Sequence, residues 1–169
     1  MEPRTAGRTL HQGGESYRDG MRLVHRVRTS ATPAQVWELL GTPSQWPQFD
    51  VFLRKVRGTD GRAAAGQHLV GVARWWALGV PLDVLEAVPG ERLVLRVRTA
   101  PGVTEEVTHV LTPTTSGGTD IRVSVVVEGL LAVPAAVPLW LASGLTSRVL
   151  AARTHTLARE RRRTSKGVA

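Results

Sequence analysis

The stretch Leu130-Leu131-Ala132-Val133-Pro134-Ala135-Ala136-Val137-Pro138-Leu139-Trp140-Leu141, running on to Arg159-Glu160-Arg161-Arg162-Arg163, decides the fold. No proline follows Pro138, and Leu, Ala, Arg and Thr dominate from there. Leu139, Ala142, Leu145, Thr146, Val149 and Leu150 recur at helical spacing, while Arg148, Arg159 and Arg162 fall mostly elsewhere. The spacing predicts one long helix from about Pro138 to Arg163, with its closing arginines at the negative end of the helix dipole. A helix of that length needs a broad apolar partner, and almost everything before it reads as strand.

Working outward, Met21–Thr29 alternates and is read as the first strand. Thr32-Pro33-Ala34-Gln35 sets a capping hydroxyl, a proline at the first helical position and a glutamine three residues on. That predicts a short helix over Pro33–Leu40, stopped by Gly41. Thr42-Pro43-Ser44-Gln45 repeats the pattern for a second, shorter helix ending near Trp46 before Pro47. Six further strands are expected: Val51–Arg57, Gln67–Trp76, Pro81–Val88, Arg92–Arg98, Val103–Leu111 and Thr119–Glu128. The short Gly- and Pro-bearing turns between them argue an antiparallel meander.

The later strands have two faces. Leu93, Leu95 and Val97 oppose Arg96 and Arg98. Val107, His109 and Leu111 oppose Glu106 and Thr108. Ile121, Val123, Val125 and Val127 oppose Arg122, Ser124 and Glu128. An α+β fold follows: a seven-stranded curved antiparallel sheet wraps a long C-terminal helix, with two short helices after the first strand, an element order that resembles the helix-grip folds. We expect Met1–Gly20 as a disordered leader, 21–163 as the domain and 164–169 as a tail.

Composition narrows the function. At 169 residues the chain suits one domain with a real core. With no cysteine there is no disulfide and no thiolate-bound metal, which fits a reducing, cytoplasmic setting. Met1–Gly20 lacks the apolar run of a signal peptide. The run Leu130–Leu145 is broken by Pro134, Pro138, Ser143 and Gly144, too short for a transmembrane segment. The net charge of +8 raises nucleic acid as a partner. Lys55 and Lys166 are the only lysines, however, and the arginines are spread along the chain. The dense run Arg159–Lys166 lacks interleaved aromatics and reads as a solvated helix end, against nucleic-acid binding. No nucleophile elbow, H-E-x-x-H, P-loop or dinucleotide fingerprint is present, which disfavours hydrolase, metalloprotease, kinase and NAD chemistry. The scattered His25, His68 and His155 have no ligand spacing, so no metal is expected.

The phrase Ala31-Thr32-Pro33-Ala34-Gln35-Val36-Trp37-Glu38-Leu39-Leu40, followed by Pro43, Trp46 and Pro47, resembles the opening of the polyketide cyclase/dehydrase and lipid-transport family (SRPBCC) of the START-like superfamily. Leu78-Gly79-Val80-Pro81-Leu82, Glu86-Ala87-Val88-Pro89-Gly90-Glu91-Arg92-Leu93 and Gly118-Thr119 are similar to phrases of the same family. The resemblance spans about Met21–Arg163. It implies a cavity between sheet and long helix that takes a hydrophobic or aromatic ligand, with no cofactor, in a monomer or homodimer. With two Phe, one Tyr and two Met against many Val, Ala and Gly, the side chains are small for filling a curved sheet. The alternative is a core packed solid with Val and Leu.

His109 falls on the apolar face, either as an acid/base or donor to a ligand carbonyl, or as a buried histidine bonded to a neighbour. Arg74 is the second catalytic candidate, holding an enolate or carboxylate oxygen, with Trp75 or Trp76 stacking on a ring. The plainer reading sets tryptophan over a sheet edge and leaves Arg74 exposed. Asp83 and Glu86 are pocket carboxylates or surface groups, depending on a facing that the pattern leaves open. Leu95, Val107, Val123, Val125, Leu145 and Val149 are the expected apolar ligand contacts. Trp37 and Trp46 are expected to build the core. Function is then either ligand binding with cyclisation or dehydration of a polyketide-like chain, or carriage, sensing or sequestration without chemistry.

Overall fold

The computed structural model describes residues 21–59, 61–75, 79–129 and 132–166. The expected leader and Trp76 lie outside them. Strand β1 (Met21–Thr29) leads into helix α1 (Pro33–Leu40) and a 3-10 helix (Pro43–Gln48). Then come β2 (Leu53–Arg57), β3 (His68–Ala73), β4 (Gly79–Val88), β5 (Arg92–Ala100), β6 (Val103–Pro113), β7 (Thr119–Glu128) and α2 (Ala132–Lys166). The strands form one antiparallel sheet in the order β1-β7-β6-β5-β4-β3-β2. Only the β1–β7 neighbours are distant in sequence; the rest is a meander. This is the expected α+β helix-grip fold.

Local chemistry explains the bracket between β1 and β2. Thr32 Oγ1 accepts from Gln35 N (3.4 Å) and Gln35 Oε1 accepts from Thr32 N (2.9 Å), a complete capping box. The repeat of that pattern at Thr42 fails. Its hydroxyl donates back to Glu38 O at 2.7 Å, and the turn that follows is 3-10 rather than α, running through Pro47 to Gln48. Trp37 and Trp46 are buried, and Trp46 Nε1 donates to Leu40 O at 2.7 Å. That bond ties the two helices of the bracket to each other, and their buried tryptophans seat the bracket in the core.

Inner and outer faces follow the alternation. Leu93, His109 and Val123 stand side by side across β5, β6 and β7, as do Leu95, Val107 and Val125. β4 breaks step: a bulge at Leu85 separates Val84, opposite Leu95, from Glu86, opposite Val94. Glu86 reaches Arg92 across the wet face at 3.2 Å.

α2 begins two turns before the expected start, so Pro138 lies inside the helix. A proline there forfeits one backbone bond. Pro134 and Pro138 are both exposed, which leaves the freed carbonyl open to water. At the other end the helix runs to Lys166, into the segment read as a tail. Arg161 forms a two-pronged pair with Glu38 of α1 (3.1 and 2.5 Å), so part of the terminal basic run holds the helix to the bracket.

α2 packs chiefly on β1 and β7. Its C-terminal half is seated: Ser147, Leu150, Ala151, Thr154 and Ala158 are buried. Thr154 Oγ1 lies 3.1 Å from Thr29 Oγ1, which accepts from Ala31 N at 3.3 Å, while Thr119 Oγ1 donates to Ala31 O at 2.7 Å. One buried cluster therefore ties α2, β1, β7 and the start of α1. The N-terminal half is different: Val137, Trp140, Leu141 and Leu145 are exposed. At the crossover, Gly144 faces the His25 ring, and a Cβ there would lie 3.1 Å from it. His25 Nε2 is 2.9 Å from Ser143 Oγ. Among the described residues no helix is long and apolar enough to cross a membrane.

The substitution Thr154→Val keeps shape and removes the hydroxyl, leaving Thr29 Oγ1 with Ala31 N alone. Urea unfolding is expected to show a loss of about 1–3 kcal/mol; an unchanged midpoint would mean that the cluster does not clamp the helix.

Candidate functional site

Between the sheet, the 3-10 helix and the N-terminal half of α2 lies a cavity of about 650 Å³. That is the size of a drug-sized ligand site, and the core is not packed solid. Buried Leu40, Trp46, Phe49 and Leu93 are among the residues that wall its interior. Lining residues that also meet solvent, among them Phe52, Pro81 and the β5–β6 turn Ala100-Pro101-Gly102, mark its mouth. α2 contributes Leu139, Ala142, Ser143, Thr146 and Ser147. Four of these five are small, which is why the helix leaves the space open.

His109 lines the cavity and is 7% exposed. Its ring makes no hydrogen bond among the described residues, and Nδ1 is buried without a partner. The bonded-neighbour alternative for this histidine is therefore not what the structure shows. Burial lowers its pKa to about 4, so the ring is neutral at ordinary pH. Leu95, Val107, Val123 and Val125, all expected contacts, line the cavity too.

The other expected site residues stand elsewhere. β3 ends at Ala73, so the alternation used to face Arg74 and Trp75 has already stopped. Arg74 turns outward and donates to Leu53 O (3.0 Å) and Pro47 O (3.3 Å), bracing the loop before β2. Trp75 is 63% exposed and meets Phe52 edge-on, with ring centroids 5.8 Å apart. Asp83 sits on the wet face between His68 Nδ1 (2.7 Å) and Arg98 Nη2 (2.9 Å). The His68 hydrogen bond, then Arg98, holds its carboxyl below the usual range. Leu145 is 52% exposed, and Val149 packs on the core below the cavity. Trp46, expected as core alone, both packs and lines.

Two acidic residues that the sequence reading passed over line the cavity. Glu105 obeys the same alternation as Val107 and His109, which is the signal that could have found it. It is buried and accepts a short hydrogen bond from the Thr99 hydroxyl. Asp50, in the loop before β2, accepts through Oδ1 from Phe52 N (2.8 Å) and Leu53 N (3.2 Å). Burial raises both carboxyl pKa values, and the Asp50 charge raises that of Glu105 further. Among the described residues no group of three His, Asp or Glu side chains could hold a metal ion.

The two kinds of shift act oppositely on stability. His109 has its folded pKa below its unfolded 6.5, so its contribution is full above that value and falls as pH drops towards about 4. Glu105 is raised, so its contribution is full at low pH and is lost as pH rises through its folded pKa. His109→Leu is expected to flatten the acid side of the stability profile between pH 7 and 4 by on the order of 3 kcal/mol. Urea titrations at both pH values check this, and parallel profiles for variant and wild type would contradict it.

The structure is similar to a hypothetical protein from Helicobacter pylori (TM-score 0.67, 15% identity, covering 91% of this chain and 99% of that one). It is similar to CalU16 from Micromonospora echinospora (TM-score 0.57, 17% identity, 84% and 83%). It also matches DynU16, described as a putative protein in the dynemicin biosynthetic locus (TM-score 0.61, 18% identity, 77% of this chain and 45% of that one). At these identities the likeness is one of fold. No curated protein matches the sequence. The sequence profile described as "Polyketide cyclase / dehydrase and lipid transport" matches residues 21–161, and with that match the chain belongs to the polyketide cyclase/dehydrase and lipid transport family.

Proposed function

We propose that this chain binds a hydrophobic, ring-bearing small molecule in the cavity between sheet and α2, with His109 as the polar contact in its interior. The carrying observation is the buried His109 ring, unpartnered in an apolar cavity of about 650 Å³. A buried imidazole that makes no hydrogen bond is costly, and a ligand carbonyl or hydroxyl oxygen accepting from its ring N–H would relieve the donor half of that cost. An Nδ1 with no partner favours the tautomer that protonates Nε2, since a bare lone pair costs less than a bare N–H. Nε2–H then donates to the ligand. Membership of the polyketide cyclase/dehydrase and lipid transport family supports a polyketide-like ligand.

For a reactive poly-ketone the cavity walls would fold the chain and bring distant carbons together. His109, neutral and a weak base, would polarise a carbonyl by hydrogen bonding rather than abstract a proton. A second reading, carriage without chemistry, is favoured by one observation: Arg74, the expected oxyanion partner, is bonded to backbone outside the cavity. Nothing in the lining orients His109 as a triad would.

Native mass spectrometry of the purified protein is expected to find a retained small molecule, held about five- to tenfold more weakly by His109→Leu. An empty protein whose ligand affinity ignores that substitution would overturn the binding role of His109. Incubation with a reactive poly-ketone separates the two versions: altered products indicate cyclisation, unaltered products the carrier.

A further inference from the structure

We propose that Asp50 and Glu105 form a cation-accepting subsite near the cavity mouth, so that the ligand is an apolar molecule carrying a protonated amine at that end. This rests on the cavity reading above and sharpens it to a charge class.

The first ground is placement. Both carboxyls line the same cavity and lie near enough for the Asp50 charge to act on Glu105. Each has one oxygen spoken for: Asp50 Oδ1 by two backbone N–H groups, Glu105 Oε1 by Thr99. The remaining oxygens, Oδ2 and Oε2, have no hydrogen-bond partner among the described residues. Neither acid has an ion-pair partner there. Of the nearby cations, Arg98, on the lining, is bonded to Asp83, and Arg74, whose hydrogen bonds go to two backbone carbonyls, acts on Asp50 through its charge without pairing with it. Two like charges sharing an apolar cavity destabilise each other and are desolvated. A cation between them removes both penalties, and a carboxylate ligand adds to them.

His109 supplies the independent ground that the cavity is built for a ligand. It is buried, unpartnered and on the lining. It stands four residues along β6 from Glu105, on the same face, about 13 Å away at the strand rise. Glu105 lies next to the β5–β6 turn at the mouth and His109 lies deep. The spacing suits one elongated molecule, with a hydrogen-bond acceptor for His109 at the inner end and the amine at the outer end.

The surface argues the other way, which makes the test sharp. The chain carries a net charge of +8, so long-range attraction favours anions. Three probes matched in size separate the two fields: 9-anthracenemethylamine, 9-anthracenemethanol and 9-anthracenecarboxylic acid. Binding is read by fluorescence titration at pH 7 and physiological salt.

The amine is expected to bind at least tenfold tighter than the acid. Glu105→Gln and Asp50→Asn, both isosteric, are expected to cut the amine's advantage over the alcohol by about fivefold or more. The wild-type charge series stands even if a variant misfolds. An acid that binds as well as the amine, or an amine advantage that survives both substitutions, overturns the subsite alone. Failure of all three probes to bind overturns the subsite and the cavity reading together.

Discussion

The architecture depends on α2 being clamped at one end only. Thr29, Ala31, Thr119 and Thr154 meet in a buried cluster where the first strand, the last strand and the bracket converge. Small residues below it, Ala151 and Ala158, let the helix sit close. Above it the helix is backed by Ala142, Ser143, Thr146 and Ser147, too small to reach the far strands. The sheet curves away over β3–β5 and the helix does not follow. Close packing at one end and volume at the other come from one continuous helix laid on a curved sheet.

That geometry sorts the polar groups. Outward residues pair across strands in water: Arg28 with Asp120, Arg92 with Glu86, Asp83 with His68 and Arg98. Such exposed pairs contribute little to stability. Three inward ionisable side chains meet the cavity, namely Asp50, Glu105 and His109. All three are shifted in the direction that burial dictates, towards the neutral form. Stability alone would favour Val or Leu at these positions. Their presence against that gradient sets the cavity apart from a packing defect.

Most of this was legible in residue order. The period-two pattern placed His109, Leu95, Val107, Val123 and Val125 inward, and the capping chemistry of Thr32 and Gln35 fixed the bracket. The failures have separate physical causes. Arg74 and Trp75 were faced by alternation beyond the last residue where alternation holds. Helical spacing put Leu145 and Val149 on an apolar stripe, but it cannot say which part of a stripe looks at empty space. Pro138 reads as a helix start because its cost in an exposed turn is softened by water. Glu105 sits in plain alternation with Val107 and His109, yet the faces were assigned only from Val107 onward. Asp50 left no periodic trace, because an irregular loop has no period.

Gly144 carries a consequence of a different kind. It is the point where α2 crosses β1, with the imidazole of His25 against it, so that an added Cβ would lie 3.1 Å from the ring. The residue acts as a thin spacer between two rigid bodies. Alanine in its place would displace either the His25 ring or the helix by a few tenths of an ångström; where the helix gives, it tilts about its clamped end, and the hollow changes width although none of its walls has been altered. Relatives with the same lining but a bulkier crossover residue would then differ in the girth of what they admit, and comparing pocket residues alone would miss the cause.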